Sequence, residues 1–196
     1  LITMSMQGLL DNGDEILVPS PDYPLWTASV TLAGGNAVHY MCDEQNEWNP
    51  DIEDIKKKIT PKTKGIVIIN PNNPTGYLYT RNELNQIRDL VKKYDLYLFS
   101  DEVYREFCYT GAPYISAFHL DGIENNVVLF DSVSKRYSEC GIRIGALVTK
   151  NEEVKKNVMK FCQARLSPPL IGQIVAEASF DTPQDYMLEM YNEYVE

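Results

Sequence analysis

The chain is poor in what metal sites, disulfide frameworks and nucleic-acid surfaces require. It has two histidines, His39 and His119, which by themselves cannot build a zinc site. Its four cysteines, Cys42, Cys108, Cys140 and Cys162, lie far apart and form no Cys-x-x-Cys pair. They read as free thiols of a reducing compartment, so the expected location is the cytoplasm. Positive charge is scarce: 18 Lys and Arg against 28 Asp and Glu leave a formal net charge of -10. That argues against a nucleic-acid partner, because no basic face is available to neutralise phosphates, and it disfavours anionic membrane surfaces. No apolar run approaches the roughly 20 residues needed to span a bilayer. Internal repeats and low-complexity tracts are missing as well.

What is present is ordinary for a soluble globular domain: 196 residues, 44% hydrophobic and 23% charged, enough for one large core. The opening Leu1–Leu10 reads as the tail of a helix closed near Asp11-Asn12-Gly13, and Tyr194-Val195-Glu196 stops inside a polar helical pattern. Both ends therefore read as cuts through a longer polypeptide. The expected division is a partial cofactor-binding domain over 1–180, with 181–196 beginning a helix toward a further, smaller domain.

Along the chain, strands and helices alternate. Glu15–Val18 reads as a strand stopped by Pro19, 24–33 as a helix with Pro24 in its first turn, and Asn36–Met41 as a second strand. Pro50 opens a helix with Ile52, Ile55 and Ile59 on one face. Gly65–Asn70 is apolar without alternation, so both faces should be buried. Thr80-x-x-Glu83 is a capping box, followed by the apolar stripe Leu84, Ile87, Leu90 and Val91. Tyr97–Ser100, 127–130 and Ile144–Val148 read as further strands, and Asn151 and Pro183 as helix starts. The spacings permit parallel crossovers, which predicts an α/β fold: a three-layer sandwich around a mainly parallel sheet.

In such sheets ligands sit beyond the carboxyl ends of the strands. Asn73 follows the 65–70 strand, Asp101 the 97–100 strand and Lys135 the 127–130 strand. Lys135, in Asp131-Ser132-Val133-Ser134-Lys135, is an amine at the end of an apolar strand, suited to form a Schiff base with an aldehyde. Ser132, Ser134 and Arg143 offer hydroxyls and a guanidinium fork for phosphate oxygens. A carboxylate such as Asp101 facing a heterocyclic nitrogen raises that nitrogen's pKa and keeps it protonated. The protonated ring then withdraws electrons, the chemistry expected of pyridoxal 5'-phosphate. Asn70-Pro71-Asn72-Asn73-Pro74-Thr75-Gly76 is a stiff turn that could aim Asn73 at a ring oxygen, and Tyr104 could donate to the same oxygen. Tyr23, in Pro21-Asp22-Tyr23-Pro24, could lie flat against an aromatic cofactor or simply pack in a core. Metal ligation by Asp101 and Glu102 is the rival use of that pair and would leave Lys135 idle.

The strings Asn70–Gly76, Ser100-Asp101-Glu102-Val103-Tyr104, Ser132-Val133-Ser134-Lys135 and Gly141-Ile142-Arg143-Ile144-Gly145 resemble, in order and spacing, the fold-type I class I/II aminotransferases of the aspartate, alanine and aromatic group. The resemblance implies that Lys135 holds the cofactor and carries the substrate α-proton, with Asp101 paired to the pyridinium nitrogen. Asn73 and Tyr104 would bond the phenolic oxygen, Tyr23 would stack on the ring, and Ser132, Ser134 and Arg143 would bind phosphate. It also implies amino acid and 2-oxo acid substrates, and a homodimer at full length. The glycine-rich phosphate loop upstream of the opening helix and the arginine that grips the substrate carboxylate, features of the family, have no counterpart within these residues. A carbon–sulfur lyase or synthase acting on an amino acid, or a non-catalytic cofactor-binding or regulatory domain, shares the same lysine and aspartate.

Overall fold

A computed structural model describes residues 1–195; Glu196, the last residue of the expected 181–196 segment, lies outside the described residues. Seven strands form one sheet: β1 (Glu15–Ser20), β2 (Asn36–Asp43), β3 (Asn49–Pro50), β4 (Thr63–Ile69), β5 (Tyr97–Asp101), β6 (Val127–Ser132) and β7 (Gly145–Thr149). Their order is β3-β2-β1-β4-β5-β6-β7. The pairs β1–β2, β1–β4, β4–β5 and β5–β6 are parallel, while β2–β3 and β6–β7 are antiparallel. The helices are α1 (Ile2–Leu9), α2 (Leu25–Leu32), α3 (Ile52–Lys58), α4 (Arg81–Tyr94), α5 (Val133–Arg136), α6 (Glu152–Arg165), α7 (Leu170–Ala178) and α8 (Gln184–Val195).

The strand residues divide by alternation, as a pleated sheet with both faces buried requires. Leu17, Ile66, Ile68, Leu98 and Leu129 pack with Ile52 and Ile55 of α3 and with Leu84, Ile87, Leu90 and Val91 of α4. Ile16, Val18, Val67, Ile69, Phe99 and Phe130 face the other way, against Met6 of α1, Trp26 and Val30 of α2, and Val154 and Val158 of α6. Two apolar layers on either side of one sheet make the α/β three-layer sandwich expected from the sequence.

Several boundaries differ from the reading above. β1 runs through Pro19 to Ser20 instead of ending at Val18. Its ladder with β4 stops at Leu17, and Pro19 lies beyond that point, where a strand can carry proline. Pro50 belongs to β3; α3 begins at Ile52 behind the Asp51 cap, whose carboxylate accepts from the Asp54 N–H at 2.9 Å. Ile59 lies past the end of α3 in extended backbone. β7 runs antiparallel to β6, because the connection between them carries only the one-turn α5 and a short 3₁₀ turn (Cys140–Ile142), too little to cross the sheet. The capping box at α4 is present as read: the Thr80 hydroxyl accepts from the Glu83 N–H at 3.3 Å, and the Glu83 carboxylate accepts from the Thr80 N–H at 2.8 Å.

This topology sends β1 to β2 on one side and to β4 on the other. The carboxyl ends of the parallel strands all point to one edge of the sheet, where such folds bind ligands.

Candidate active site

Five connections leave that edge: 21–24 after β1, 44–48 after β2, 70–80 after β4, 102–116 after β5 and 133–144 after β6. The turn after β4 is pinned from within. Asn72 donates its backbone N–H to Tyr77 O at 2.8 Å and its side-chain amide to Thr75 Oγ1 at 2.8 Å, and the Gly76 N–H donates to Asn72 O at 2.8 Å. Gly76 has φ 74°, left-handed backbone that glycine adopts without strain. The Asn70 N–H donates to Asp101 O at 2.9 Å, which ties this turn to the end of β5. Asn73 sits half-buried within the turn.

At the end of β5 two neighbouring acids take opposite faces. Glu102 is fully buried, and its Oε1 accepts from Ser100 Oγ at 2.9 Å, Ser116 Oγ at 3.0 Å and the Ala117 N–H at 2.9 Å. It fastens the far end of the 102–116 segment back onto the strand. Asp101 points to the α2 side. It is 7% exposed and accepts from Trp26 Nε1 at 3.3 Å and from the Val103 N–H at 3.4 Å, both long contacts to neutral donors. Burial pushes its carboxyl up from 3.8 to about 6; the two donors work against that rise, and the nearby Asp131 and Glu102 carboxylates add to it. Trp26 is itself wholly buried, with its ring edge-on to Phe130 at 5.2 Å.

After β6 the Ser132 hydroxyl caps α5, accepting from the Ser134 N–H at 3.2 Å. One turn of helix then carries Lys135 into the open. Its Nζ lies 5.6 Å from the centroid of the Tyr104 ring, so the amine after β6 and the phenol after β5 are neighbours. Tyr104 packs edge-on against Phe107 at 5.9 Å. Arg143 has φ 59° and is exposed; its Nη1 donates to Cys140 O at 2.6 Å, an oxygen of its own turn. Tyr23, after β1, is 42% exposed. A cleft of about 330 Å³ passes Ser132, Arg136, Gly145, Gln173 and Phe180; neither Asp101 nor Lys135 lines it.

Asp101, Tyr104 and Lys135 thus come from adjacent strand ends, with the Asn73 turn tied to β5 beside them. The structure shows no contact that joins Arg143 to Ser132 or Ser134. Two features escaped the sequence reading. Trp26, the only side-chain donor to Asp101 among the described residues, lies 75 residues away in the chain, and only its place three residues beyond Tyr23 hinted at it. The second is a group of four charged side chains, Arg105, Glu106, Asp131 and Arg136, that joins the Tyr104 segment to the Lys135 turn. Among the described residues no group of three or more His, Cys, Asp or Glu is placed to hold a metal ion.

A buried carboxylate whose hydrogen bonds come only from long neutral donors is completed by a cation with an N–H to give. A pyridinium nitrogen has that chemistry, and the exposed primary amine of Lys135 has the chemistry to bind an aldehyde. The donor set at these strand ends fits pyridoxal phosphate at its ring nitrogen and its aldehyde. Fold and site together define an α/β domain with an acid and an amine at neighbouring strand ends.

The chain belongs to the aminotransferase class I and II family, whose sequence profile matches residues 1–195. It is 51% identical over 147 residues to an alanine aminotransferase of Mycobacterium tuberculosis, covering 75% of this chain and 34% of that protein. It is 49% identical over 148 residues to the glutamate-pyruvate aminotransferase AlaA of Escherichia coli K12, covering 76% of this chain and 36% of that protein. The chain spans about a third of the length of these curated relatives. Among solved structures, an alanine aminotransferase from Pyrococcus furiosus superposes with a TM-score of 0.91 at 38% identity, over 97% of this chain and 49% of that one.

Proposed function

We propose that this protein is a pyridoxal 5'-phosphate-dependent aminotransferase that moves an amine between an amino acid and a 2-oxo acid. Family membership supports the reaction class. The observation that carries the reading is the buried Asp101, short of a cation, one strand away from the Lys135 amine. When bound, the cofactor supplies an electron-withdrawing ring that stabilises negative charge at the substrate α-carbon.

In this reading the Lys135 Nζ binds the cofactor aldehyde and moves the proton at the substrate α-carbon. Asp101 accepts the ring N–H and keeps that nitrogen protonated. Asn73 Nδ2 and Tyr104 Oη donate to the phenolic oxygen, and Tyr23 covers one face of the ring. Ser132, Ser134 and Arg143 hold the phosphate; for this the Arg143 guanidinium must leave Cys140 O, the oxygen it bonds here. Residues 1–180 form part of the cofactor-binding domain, and 181–196 lead toward a smaller one. The full-length protein is a homodimer of the cytoplasm, a compartment that suits its four free cysteines.

The two curated relatives at about half identity are named for alanine and for glutamate and pyruvate, so these are the first substrates to try. The experiment is an amino-donor screen on the full-length protein, read as 2-oxo acid formation with pyruvate or 2-oxoglutarate as acceptor. Formation that requires an acceptor supports transamination. Ammonia release with no acceptor would replace it with a lyase.

A further inference from the structure

Arg105, Glu106, Asp131 and Arg136 close a square of ion pairs between two segments of the site. Arg105 Nη2 meets Asp131 Oδ2 at 2.9 Å, and Arg105 Nε meets Glu106 Oε1 at 3.1 Å. Across the gap, Arg136 Nε meets the same Glu106 oxygen at 2.7 Å, and Arg136 Nη2 meets Asp131 Oδ2 at 3.0 Å. Side-chain exposures run from 12% for Arg136 to 32% for Arg105, so the square is largely shielded from water. Two cations and two anions make it neutral, and each guanidinium uses two nitrogens, which fixes direction as well as distance.

The placement of these residues matters more than their number. Arg105 and Glu106 directly follow Tyr104, and Arg136 directly follows Lys135. Asp131 lies on β6, one residue before the Ser132 cap that starts the Lys135 turn. The square therefore bolts the segment carrying the phenol to the turn carrying the amine. Between those bolts the Lys135 Nζ stands 5.6 Å from the Tyr104 ring. Backbone contact fixes only the near end of the segment, where the Glu102 N–H donates to Phe130 O at 2.9 Å; beyond it 103–106 is a run of turns, and α5 is one turn long.

We propose that Arg136, with Glu106, Asp131 and Arg105, positions the Lys135 amine relative to the Tyr104 hydroxyl, so that both meet the cofactor in one geometry. Arg136 is a positioning residue: it acts through Tyr104 and Lys135. The proposal rests on the aminotransferase reading, and its test separates the two.

The experiment uses the full-length protein loaded with pyridoxal phosphate and follows its visible absorbance against pH, with kcat and KM. A hydroxyl donating to the cofactor's phenolic oxygen favours the deprotonated form, so Tyr104→Phe raises the pH midpoint of the band. Arg136→Met should raise it in the same direction and lower kcat by about tenfold with little change in KM. Glu106→Gln, which keeps size and removes only charge, should do the same more weakly, and Arg136→Lys should recover part of the loss. In the Tyr104→Phe background, Arg136→Met should add little, because the two share one route of action. An unchanged midpoint in both Arg136→Met and Glu106→Gln overturns the proposal, and so does an undiminished Arg136 effect when Tyr104 is already Phe. Lys135→Ala, run alongside, reports on the site itself: if it abolishes the band while Arg136 and Tyr104 act independently, the positioning proposal falls and the aminotransferase reading stands.

Discussion

Replacing Asp101 by asparagine should stabilise the cofactor-free protein while disabling it. The carboxyl is 7% exposed, its two donors are neutral and at 3.3 and 3.4 Å, and burial lifts its pKa from 3.8 to about 6. The sign follows from proton linkage. Between those two values the folded state holds the proton that the unfolded state has released, so stability falls as pH rises. Above about 6 the loss is complete, and at about 1.4 kcal/mol per pH unit it amounts to about 3 kcal/mol. Asparagine removes the charge. Its amide oxygen can serve one of the two N–H donors, and its NH₂ meets the other, a mismatch of about 1 kcal/mol. The expected outcome is a net gain of about 2 kcal/mol at pH 8 and a net loss of up to about 1 kcal/mol at pH 4, where the carboxyl is largely protonated and the mismatch remains. The assay is urea unfolding of full-length, cofactor-free wild-type and Asp101→Asn protein at both pH values, read as the shift of the midpoint times m. A variant less stable than wild type at pH 8, or one that gains equally at pH 4 and pH 8, would refute the argument. A strained site that stabilises when its function is removed is a common trade.

Other residues give independent checks. Trp26→Phe removes the donor at 3.3 Å, so the pH at which the loss of stability is complete should move above about 6, alongside a packing loss of about 1–3 kcal/mol; urea midpoints across pH measure both. Gly65→Ala puts a Cβ 2.6 Å from a Phe99 ring carbon and 2.9 Å from Tyr97 O, and overpacking of this kind should cost about 1–3 kcal/mol in urea unfolding. Thr80→Ala removes the hydroxyl that receives the Glu83 N–H at 3.3 Å and should cost about 1 kcal/mol, visible as a lower thermal midpoint.

The sheet was legible because its information is local. The unalternating runs at 65–70 and 127–130, and the 3.6-residue stripe of α4, each declare burial without reference to distant parts of the chain. Strand ends could be placed only approximately. Whether β1 continues through Pro19 depends on which neighbour its ladder still has, and that is a tertiary fact. The direction of β7 depended on how little helix the 133–144 connection holds, and α5 is too short to leave a periodic signal. At the site, the strand-end positions of Asp101 and Lys135 followed from topology alone. What surrounds them did not: the Trp26 bond spans 75 residues, and the pairing of Arg136 with Glu106 spans 30. Arg143 shows the converse, since a residue type suited to phosphate lies here against its own turn.

The central claim is that Lys135 is the amine that binds the cofactor. The full-length protein, incubated with pyridoxal phosphate, reduced with borohydride and digested, should carry the cofactor on the peptide containing Lys135. Lys135→Ala should carry none and lose the visible band. Cofactor fixed to any other lysine, or a band that survives in Lys135→Ala, would contradict the account.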